Sequence, residues 1–472
     1  MKHHNMTLGF RLLIAVLIGQ ALVPQLCGAY TLNSSQLFHR CYSQITQKFL
    51  TPEHPLFQLV AKDELSPVEA CMTILKKAQF IGRSQFYRMA SDDAESKAVL
   101  GNFYELHSSW LRNKNWDVRG QAWISEAMSD IFEPTSHALF FTKALFDPQE
   151  AFSSIVLSDD FYVPLRDEYD PPNGNITKVS KENFTGVGGK FRFAGRGGII
   201  GIENLKGETF NTSQGDLLWG RSLGGGMVGT HTYITMNAQP RSLKDLPLDG
   251  IHVNRLWAQS LYSDLFCRSL PVVRTEDAVP FLVDQGDASF RFSPSCVRCH
   301  ASIDRTAGLI RSMDFQNFGA FYPPALVGIF SIPRPVTQAS EIGWPSVKDS
   351  NYSSRPPTGT FYMRDYKGEL LSYFATDLQD LGRYLSTLDD LYICAASRYY
   401  KYFTGIEVDI GDPQRLNLSR QETMHRNFVI KLGIHLKESQ NSMNLIEEIL
   451  KSRLYRQADF GISGVPESFN TK

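Results

Sequence analysis

The sequence predicts a mainly α, multi-domain protein with a helical N-terminal region and a glycine-rich connector of irregular structure and short strands. Three observations predict this fold. Apolar residues recur at helical spacing over much of the chain. Two of these stretches open with a capping signature, in which a serine precedes a glutamate by three positions. A central stretch dense in glycine shows neither helical nor strand periodicity.

The first 29 residues have the pattern of a secretory signal peptide. Lys2 and Arg11 are followed by an apolar run that begins at Leu12. Gly28-Ala29 then offers a small-residue cleavage site before Tyr30. The apolar run is too short to span a bilayer in the mature chain. We therefore expect an exported protein, periplasmic or secreted, without a membrane span.

A lipoprotein anchored at Cys27 is the alternative, although Leu26 is bulkier than such cleavage sites usually allow. Removing Lys2 and Arg11 from the 48 basic residues leaves 46 against 49 acidic ones, a net charge of about −3. The mature chain has no basic excess and no basic tract. Binding to nucleic acid or to an anionic membrane is therefore disfavoured.

The N-terminal region is predicted to be helical. Residues 33–50 carry apolar side chains at helical spacing, with Ser34 or Ser35 as the cap. Ser66 and Glu69 form a capping box that opens a second helix. Further helices are predicted over 91–113, over 124–147 with a break at Pro134, and near 149–157.

Glycine becomes dense between residues 171 and 229 and ends in Gly224-Gly225-Gly226. A phosphate-binding loop is the alternative to an irregular connector, but no Gly-Lys-Ser/Thr follows and no clear strand leads into a helix. Residues 228–236 fit either a strand or the start of a helix. Residues 252–270 predict a helix that stops before Pro271.

The chain then contains a Cys-x-x-Cys-His motif at Cys296, Cys299 and His300. Two cysteines at this spacing can each form a thioether with one vinyl group of a porphyrin, and the histidine that follows binds iron as the proximal ligand. The motif therefore predicts one covalently attached haem c. A redox dithiol is the first alternative, although no clear βαβ pattern surrounds the motif. Half of a zinc site is the second, although no further Cys-x-x-Cys or paired histidines occur in the chain.

Beyond the motif, residues 320–360 are rich in proline, glycine and serine and predict a long coil at the haem edge. Helices are predicted again after this coil. They start at Thr376 or Asp377, cover 391–403 with Gly405 as a cap, begin at the Ser419 capping box and continue to about Lys437, and cover 442–455.

The distal side of the iron has several candidate ligands. Met363 is the first, since it follows the turn Pro357-Thr358-Gly359, as in small class I cytochromes. A methionine sulfur there raises the reduction potential of the iron; a core methionine is the alternative. The other candidates are Met313, His231, His252, His425, His435, or no side chain at all. Asp304 and Arg305 are expected near the haem propionates or as a solvated pair.

Four cysteines of the mature chain lie outside the haem motif: Cys41, Cys71, Cys267 and Cys394. An even number in an oxidising compartment indicates disulfides, and four cysteines allow three pairings. Cys41 and Cys71 fall on the inner faces of two successive predicted helices. A short antiparallel pair would bring them within bridging range. Four buried thiols are the alternative.

Several weak motifs occur in a particular order. They are an acidic-aromatic turn at 157–165, a glycine start at 224–230 with Arg255 after it, a Leu-Phe-Cys…Pro end at 265–271, the haem motif with Asp304, Gly308, Asp314 and Gly319, a leucine-rich helix reaching Cys394, an aromatic helix ending at Gly405, and the final segment 445–455. This order resembles that of the exported multi-domain cytochrome-like proteins of planctomycetes, myxobacteria and predatory deltaproteobacteria. Those proteins carry domains of largely unknown function around one Cys-x-x-Cys-His.

The resemblance implies a cytochrome c-like haem region closed by C-terminal helices. It also implies that Cys267 pairs with Cys394, since both stand at the ends of neighbouring segments. One departure is Ile406, where the family often has arginine. The expected domains are a signal peptide (1–29), an N-terminal helical domain (30–165), a glycine-rich connector plus helix (166–275), a c-type haem domain (276–405) and C-terminal helices (406–472).

The expected function is that of an exported monohaem c-type cytochrome that transfers single electrons. Its partner is an unidentified redox protein or a small electron donor or acceptor. A haem-dependent enzyme, peroxidase-like or oxidative, is the alternative, and a structural haem in a secreted binding protein is another. No catalytic residue is predicted beyond the haem.

Overall fold

The computed structural model describes residues 30–82, 85–111, 136–168, 196–204, 206, 210–212, 215–217, 222–237, 250–282, 292–311, 313–317, 331–335 and 356–460. Among the interpretable residues, 59% are helical, and the strands form small antiparallel sheets. An average soluble domain is about 30–35% helical, so the prediction of a mainly α chain is confirmed. The predicted signal peptide and the 124–135 part of a predicted helix lie outside the described residues.

The N-terminal helices begin where capping side chains satisfy their first N–H groups. Asn33 caps the first helix, because its side chain accepts a hydrogen bond from the Gln36 N–H and Gln36 accepts one from the Asn33 N–H. The predicted caps Ser34 and Ser35 are therefore wrong, and both residues belong to the helix. Ser66 caps the Pro67–Lys77 helix as predicted. The elements are α1 (Ser34–Thr46), α2 (Pro55–Ala61), α3 (Pro67–Lys77), β1 (Phe80–Ile81), β2 (Phe86–Met89) and α4 (Ala94–Ser109).

The middle of the chain combines short helices with antiparallel strands. Residues 228–236, for which strand and helix were both open, lie in a 3-10 turn and the helix after it. Gly226, at φ +65°, lets this turn approach Ile155, whose carbonyl oxygen would clash with any Cβ at position 226. The elements are α5 (Leu139–Phe146), α6 (Ser154–Leu157), β3 (Tyr162–Glu168), β4 (Arg196–Asn204), β5 (Phe210–Thr212), β6 (Gly215–Leu217), α7 (His231–Asn237) and α8 (Gly250–Phe266).

The C-terminal part is again mostly helical, as predicted. Asp377 and Ser419 cap two of its helices, and Gly405, at φ +72°, ends a third. The coil predicted over 320–360 is wrong at residues 331–335 and 359–360, which pair with other strands in antiparallel orientation. Residues 356–358 have no regular secondary structure, as predicted. The elements are α9 (Thr275–Ala278), α10 (Pro294–Ala307), β7 (Met313–Asn317), β8 (Ser331–Pro335), β9 (Gly359–Arg364), β10 (Leu370–Ala375), α11 (Leu378–Leu385), α12 (Asp389–Thr404), α13 (Arg420–Ser439), α14 (Ser442–Lys451) and α15 (Arg453–Arg456).

Two disulfides link helices of the fold. Cys41 in α1 and Cys71 in α3 have Cα atoms 6.3 Å apart. Cys267, just after α8, and Cys394 in α12 have Cα atoms 5.4 Å apart. These are the two pairs predicted from the helical faces and from the family resemblance, respectively. The second disulfide fixes the end of α8, the helix that carries Arg255, against α12.

The first and last described segments lie side by side. Arg40 in α1 donates hydrogen bonds of 2.8 Å to the carbonyl oxygens of Tyr455, Gln457 and Ala458. Its guanidinium also stacks 4.2 Å from the centre of the Phe460 ring. A cation that satisfies three carbonyls and one aromatic face joins α1 firmly to the residues that follow α15.

One cluster of buried hydrophobic side chains runs from Leu37 to Tyr455 and includes residues of every predicted domain after the signal peptide. Contacts therefore cross the predicted boundaries; for example, Gln44 donates to the carbonyl oxygen of Phe403. The division into four mature domains stays a prediction. Within the described ranges, no helix combines the length and the apolar character needed to cross a bilayer.

Candidate functional site

The Cys-x-x-Cys-His motif lies on α10, which begins with Pro294 at its first helical position. Proline is favoured there because its missing N–H would have no helical partner. Cys296 precedes Cys299 by three positions and His300 by four, so both residues lie on the same face of the helix as Cys296. Cys296 is exposed, Cys299 is half-buried and the His300 side chain is 24% exposed. The motif is thus accessible from outside the fold.

The two motif thiols are free, whereas the other described cysteines are paired. Burial raises the pKa of the Cys299 thiol, and the positive charges of Arg298 and Arg415 only partly oppose this effect. The reactive cysteine of a redox dithiol usually has a lowered pKa. That cysteine is usually the exposed member of the pair, here Cys296, so the raised pKa of half-buried Cys299 does not decide between a redox dithiol and a haem attachment site.

His300 is held by a carboxylate one helical turn further along α10. Its Nδ1 atom lies 3.0 Å from Oδ1 and 3.1 Å from Oδ2 of Asp304. Asp304 is held in turn by Arg255 of α8, whose Nε donates to Oδ1 at 2.7 Å and whose Nη2 donates to Oδ2 at 3.1 Å. The three side chains form a row in which the carboxylate bridges an imidazole and a guanidinium.

The contact with Asp304 fixes which nitrogen of the His300 ring carries the proton. An ionised carboxylate only accepts hydrogen bonds, so Nδ1 carries the proton in the contact with Asp304. The lone pair of the neutral ring then lies on Nε2, the nitrogen that can bind a metal. A second partner that fixes tautomer and orientation in this way is typical of metal-binding histidines. The free thiols and the oriented histidine fit the attachment of haem c.

Zinc fits less well. Within the ranges that the structure describes, no group of three or more His, Cys, Asp or Glu side chains has the arrangement of a metal site. A tetrahedral zinc site takes such ligands almost exclusively from the protein. The half-site alternative for Cys296 and Cys299 therefore gains no further ligands from this part of the chain.

The positions of Asp304 and Arg305 correct the expectation of a solvated pair. The Asp304 side chain is only 10% exposed and contacts His300. Arg305 lies over the rings of Phe281 and Tyr362, with its guanidinium carbon 4.7 and 4.8 Å from their centres. The spacing of four residues between His300 and Asp304 could have indicated their contact. The sequence carries no signal for the role of Arg255.

Met363, the first candidate for the distal ligand, is buried in the hydrophobic core and does not lie on the motif face. Met363 lies in β9, which packs beside the C-terminal half of α10, where Thr306 Oγ1 donates to the Thr360 carbonyl oxygen at 3.0 Å. The Met363 side chain is fully buried in the hydrophobic core, whereas His300 is partly exposed on the motif face. Its role as an iron ligand stays a prediction, and its packing is that of a core methionine.

The other candidates do not strengthen the distal assignment. His425 is buried, and its Nδ1 lies 2.7 Å from the Tyr400 hydroxyl oxygen. His435 is half-buried on α13. The side chains of Met313, His231 and His252 lie outside what the structure describes.

We expect Met363→Ala to lower the free energy of unfolding by about 2–5 kcal/mol, because it leaves a cavity in a fully packed site. Met363→Leu nearly conserves volume and should lower it by less than about 1.5 kcal/mol. Urea denaturation of both variants measures the difference. Equal stabilities for the two variants would contradict the core packing of this side chain.

The sequence also matches the Gly-x-Ser-x-Gly motif of serine hydrolases at Gly220 to Gly224, a match that the sequence analysis did not identify. That motif needs a serine on a sharp turn from a strand directly into a helix. Ser222 instead precedes a 3-10 turn, Gly226–Gly229, and its Oγ accepts a hydrogen bond from the Gly224 N–H at 3.1 Å. The described part of the match does not form a nucleophile elbow.

A cavity of about 1140 Å³ lies beside the second disulfide, between the ends of α4 and α8, α12 and the start of α13. Arg268, Arg398 and Arg415 contribute to its lining, as do Glu407 and Asp409. The three motif residues do not line it. Its charges are of both signs, so it does not indicate a ligand class.

Comparison with family models, with curated proteins and with solved structures found no match to this chain. The resemblance to exported cytochrome-like proteins therefore stays a prediction.

Proposed function

We propose that this chain is an exported monohaem c-type cytochrome. It binds one haem covalently through Cys296 and Cys299, with His300 as the proximal iron ligand, and transfers single electrons to or from a redox partner. One observation carries the proposal. Two free thiols share a helix face with a histidine whose Nδ1 is held by Asp304, so that Nε2 is the nitrogen that would bind the iron.

When bound, haem c supplies an iron centre that changes between the ferric and ferrous states by one electron. The residues of the chain prepare its attachment and ligation. Each thiol adds its S–H across one vinyl double bond, so attachment consumes no oxidant and releases no leaving group. Asp304 keeps the proton of His300 on Nδ1 and fixes the plane of the ring.

Export is part of the proposal. The two cysteine pairs at disulfide distance are compatible with an oxidising compartment, and the first 29 residues have the signal-peptide pattern. Attachment of haem c takes place in such a compartment. In this proposal, α10 and the C-terminal helices together form the cytochrome c-like region.

The test is production of the protein with a c-type maturation system, followed by intact mass and visible spectroscopy. We expect the mass of the chain from about Tyr30 plus one haem. The double variant Cys296→Ala/Cys299→Ala should lose all covalent haem. The matched double variant Cys41→Ala/Cys71→Ala removes two cysteines elsewhere and should keep it. Haem attached normally to the first double variant would overturn the proposal.

A haem-dependent enzyme is the second candidate, and the packing of Met363 favours it. An enzyme needs an exchangeable distal position, which a side chain held in the core does not close. A low-spin spectrum that cyanide and carbon monoxide leave unchanged indicates the electron carrier. A high-spin spectrum that responds to both indicates the enzyme, and a haem without redox activity indicates a structural role.

A further inference from the structure

We infer that Asp304 and Arg255 act together as positioning residues that set how strongly His300 donates electrons to the iron. Asp304 contacts the histidine directly, and Arg255 acts through Asp304. This inference rests on the proposed attachment of haem at Cys296 and Cys299. It adds a determinant of the reduction potential that the motif alone does not contain.

The contact is well placed to act on the ring. Both carboxylate oxygens of Asp304 lie within 3.1 Å of His300 Nδ1, and both accept a hydrogen bond from Arg255. The Asp304 side chain is 10% exposed and that of Arg255 is 15% exposed. Charges so shielded from water interact more strongly than they would at the surface.

The fold holds the two helices of this row in place. Trp257 of α8 donates from Nε1 to the Val228 carbonyl oxygen at 2.9 Å. Tyr262 of α8 and Thr306 of α10 have hydroxyl oxygens 2.8 Å apart. The disulfide at Cys267 fixes the end of α8. Arg255 therefore meets Asp304 because two packed helices present them to each other, and the two-point contact matches the fork of an arginine.

The chemistry gives opposite effects for the two residues. A carboxylate that accepts the Nδ1–H draws the proton towards itself and leaves more electron density on Nε2. A stronger donor stabilises the ferric state and lowers the reduction potential. Arg255 withdraws charge from the same carboxylate and moderates the effect. Asp304→Asn should therefore raise the potential, and Arg255→Gln should lower it.

The experiment measures the reduction potential of the haem-loaded protein at one pH, for the wild type, both single variants and the double variant. If the charges of Asp304 and Arg255 acted independently on the iron, the two single variants would also shift the potential in opposite directions. The shift of the double variant would then equal the sum of the two single shifts. If Arg255 acts through Asp304, Arg255→Gln should lose at least half of its shift in the Asp304→Asn background. Additive shifts would overturn the inference.

Two further variants keep the test decisive. Arg255→Lys keeps the charge but not the two-point fork, so it should shift the potential in the same direction as Arg255→Gln. An unchanged potential would contradict the two-point contact. This test does not depend on whether Asp304→Asn folds. Arg305→Gln removes a positive charge beside Asp304 in sequence but not in contact with it, and should shift the potential less than Arg255→Gln.

The failures are distinguishable. A wild-type protein without covalent haem would remove the proposed function and this inference together. A protein with covalent haem whose potential is the same in all variants would remove the inference alone.

Discussion

Lowering the pH from about 7.5 to about 4.5 should reduce the free energy of unfolding by about 5 kcal/mol through two buried histidines. Burial lowers the pKa of His107 and that of His137 from 6.5 to about 3. Both side chains are inaccessible or nearly so. In the unfolded chain both rings bind a proton at pH values below about 6.5, so acid favours unfolding.

The contacts of His107 explain why its ring stays neutral. Its Nδ1 lies 2.9 Å from Thr142 Oγ1, and its Nε2 lies 2.8 Å from the Tyr399 hydroxyl. A neutral ring that donates from Nδ1 and accepts at Nε2 satisfies both hydroxyls. His137 packs edge-on against the ring of Tyr233, 5.5 Å between centres. These hydroxyls and this ring carry no charge that would favour the protonated form of either histidine.

The sign of the effect follows from the lowered pKa values. Stability is complete above the unfolded pKa, falls by about 1.4 kcal/mol per pH unit for each histidine below it, and levels off below the folded pKa of about 3. Urea denaturation at a series of pH values measures this slope.

A matched pair of variants separates the loss of stability caused by protonation of the buried histidines from the loss caused by protonation of carboxylates. His137→Phe keeps an aromatic ring against Tyr233 and should reduce the acid-induced loss by about 2.5 kcal/mol. His39→Gln, at an exposed position of α1, should leave it unchanged. The same pH dependence in His137→Phe and in the wild type would show that burial of His137 does not disfavour its protonation.

Removing the Cys267–Cys394 disulfide should cost about 5 kcal/mol of stability. The two residues are 127 positions apart, and a cross-link over a loop of about 100 residues removes about 4.7 kcal/mol of chain entropy from the unfolded state. The double variant Cys267→Ala/Cys394→Ala avoids a leftover thiol. Urea denaturation without reductant, at a pH near neutral, gives the difference from the wild type.

The other disulfide provides the comparison. Cys41 and Cys71 are only 30 positions apart, so the same chain-entropy relation gives a loss of about 3.5 kcal/mol for Cys41→Ala/Cys71→Ala. The order of the two losses is the prediction. A larger loss at Cys41–Cys71 would mean that contacts in the folded state, and not loop length, determine the contribution of each disulfide.

The local elements could be predicted because their signals lie within a few residues. The capping boxes at Ser66 and Ser419 gave helix starts, and Gly405 gave a helix end. The first helix start was wrong because Asn33 and Ser34 are equally good caps, and only the backbone decides between them. The strands Ser331–Pro335 and Gly359–Arg364 were missed because pairing with an antiparallel neighbour, and not their composition, stabilises them.

The site could be predicted only in part. Cys296, Cys299 and His300 are adjacent in sequence, so the helix alone brings them together. Asp304 needed only the helical spacing from His300. Arg255 could not be predicted, because it comes from another helix 49 positions earlier and reaches Asp304 through the packing of α8 against α10. Met363 was chosen for its position after a turn, a rule that carries no information about burial.

The Arg40 contact has a consequence for when the fold can be completed. Its three carbonyl partners lie between 415 and 418 positions further along the chain. A chain that emerges from the ribosome N-terminus first presents Arg40 415 residues before the first of these partners. Until residues 455–458 have emerged, α1 lacks this attachment. The helix α1 can form from its own residues, whereas its attachment to residues 455–458 is a later, long-range step of folding.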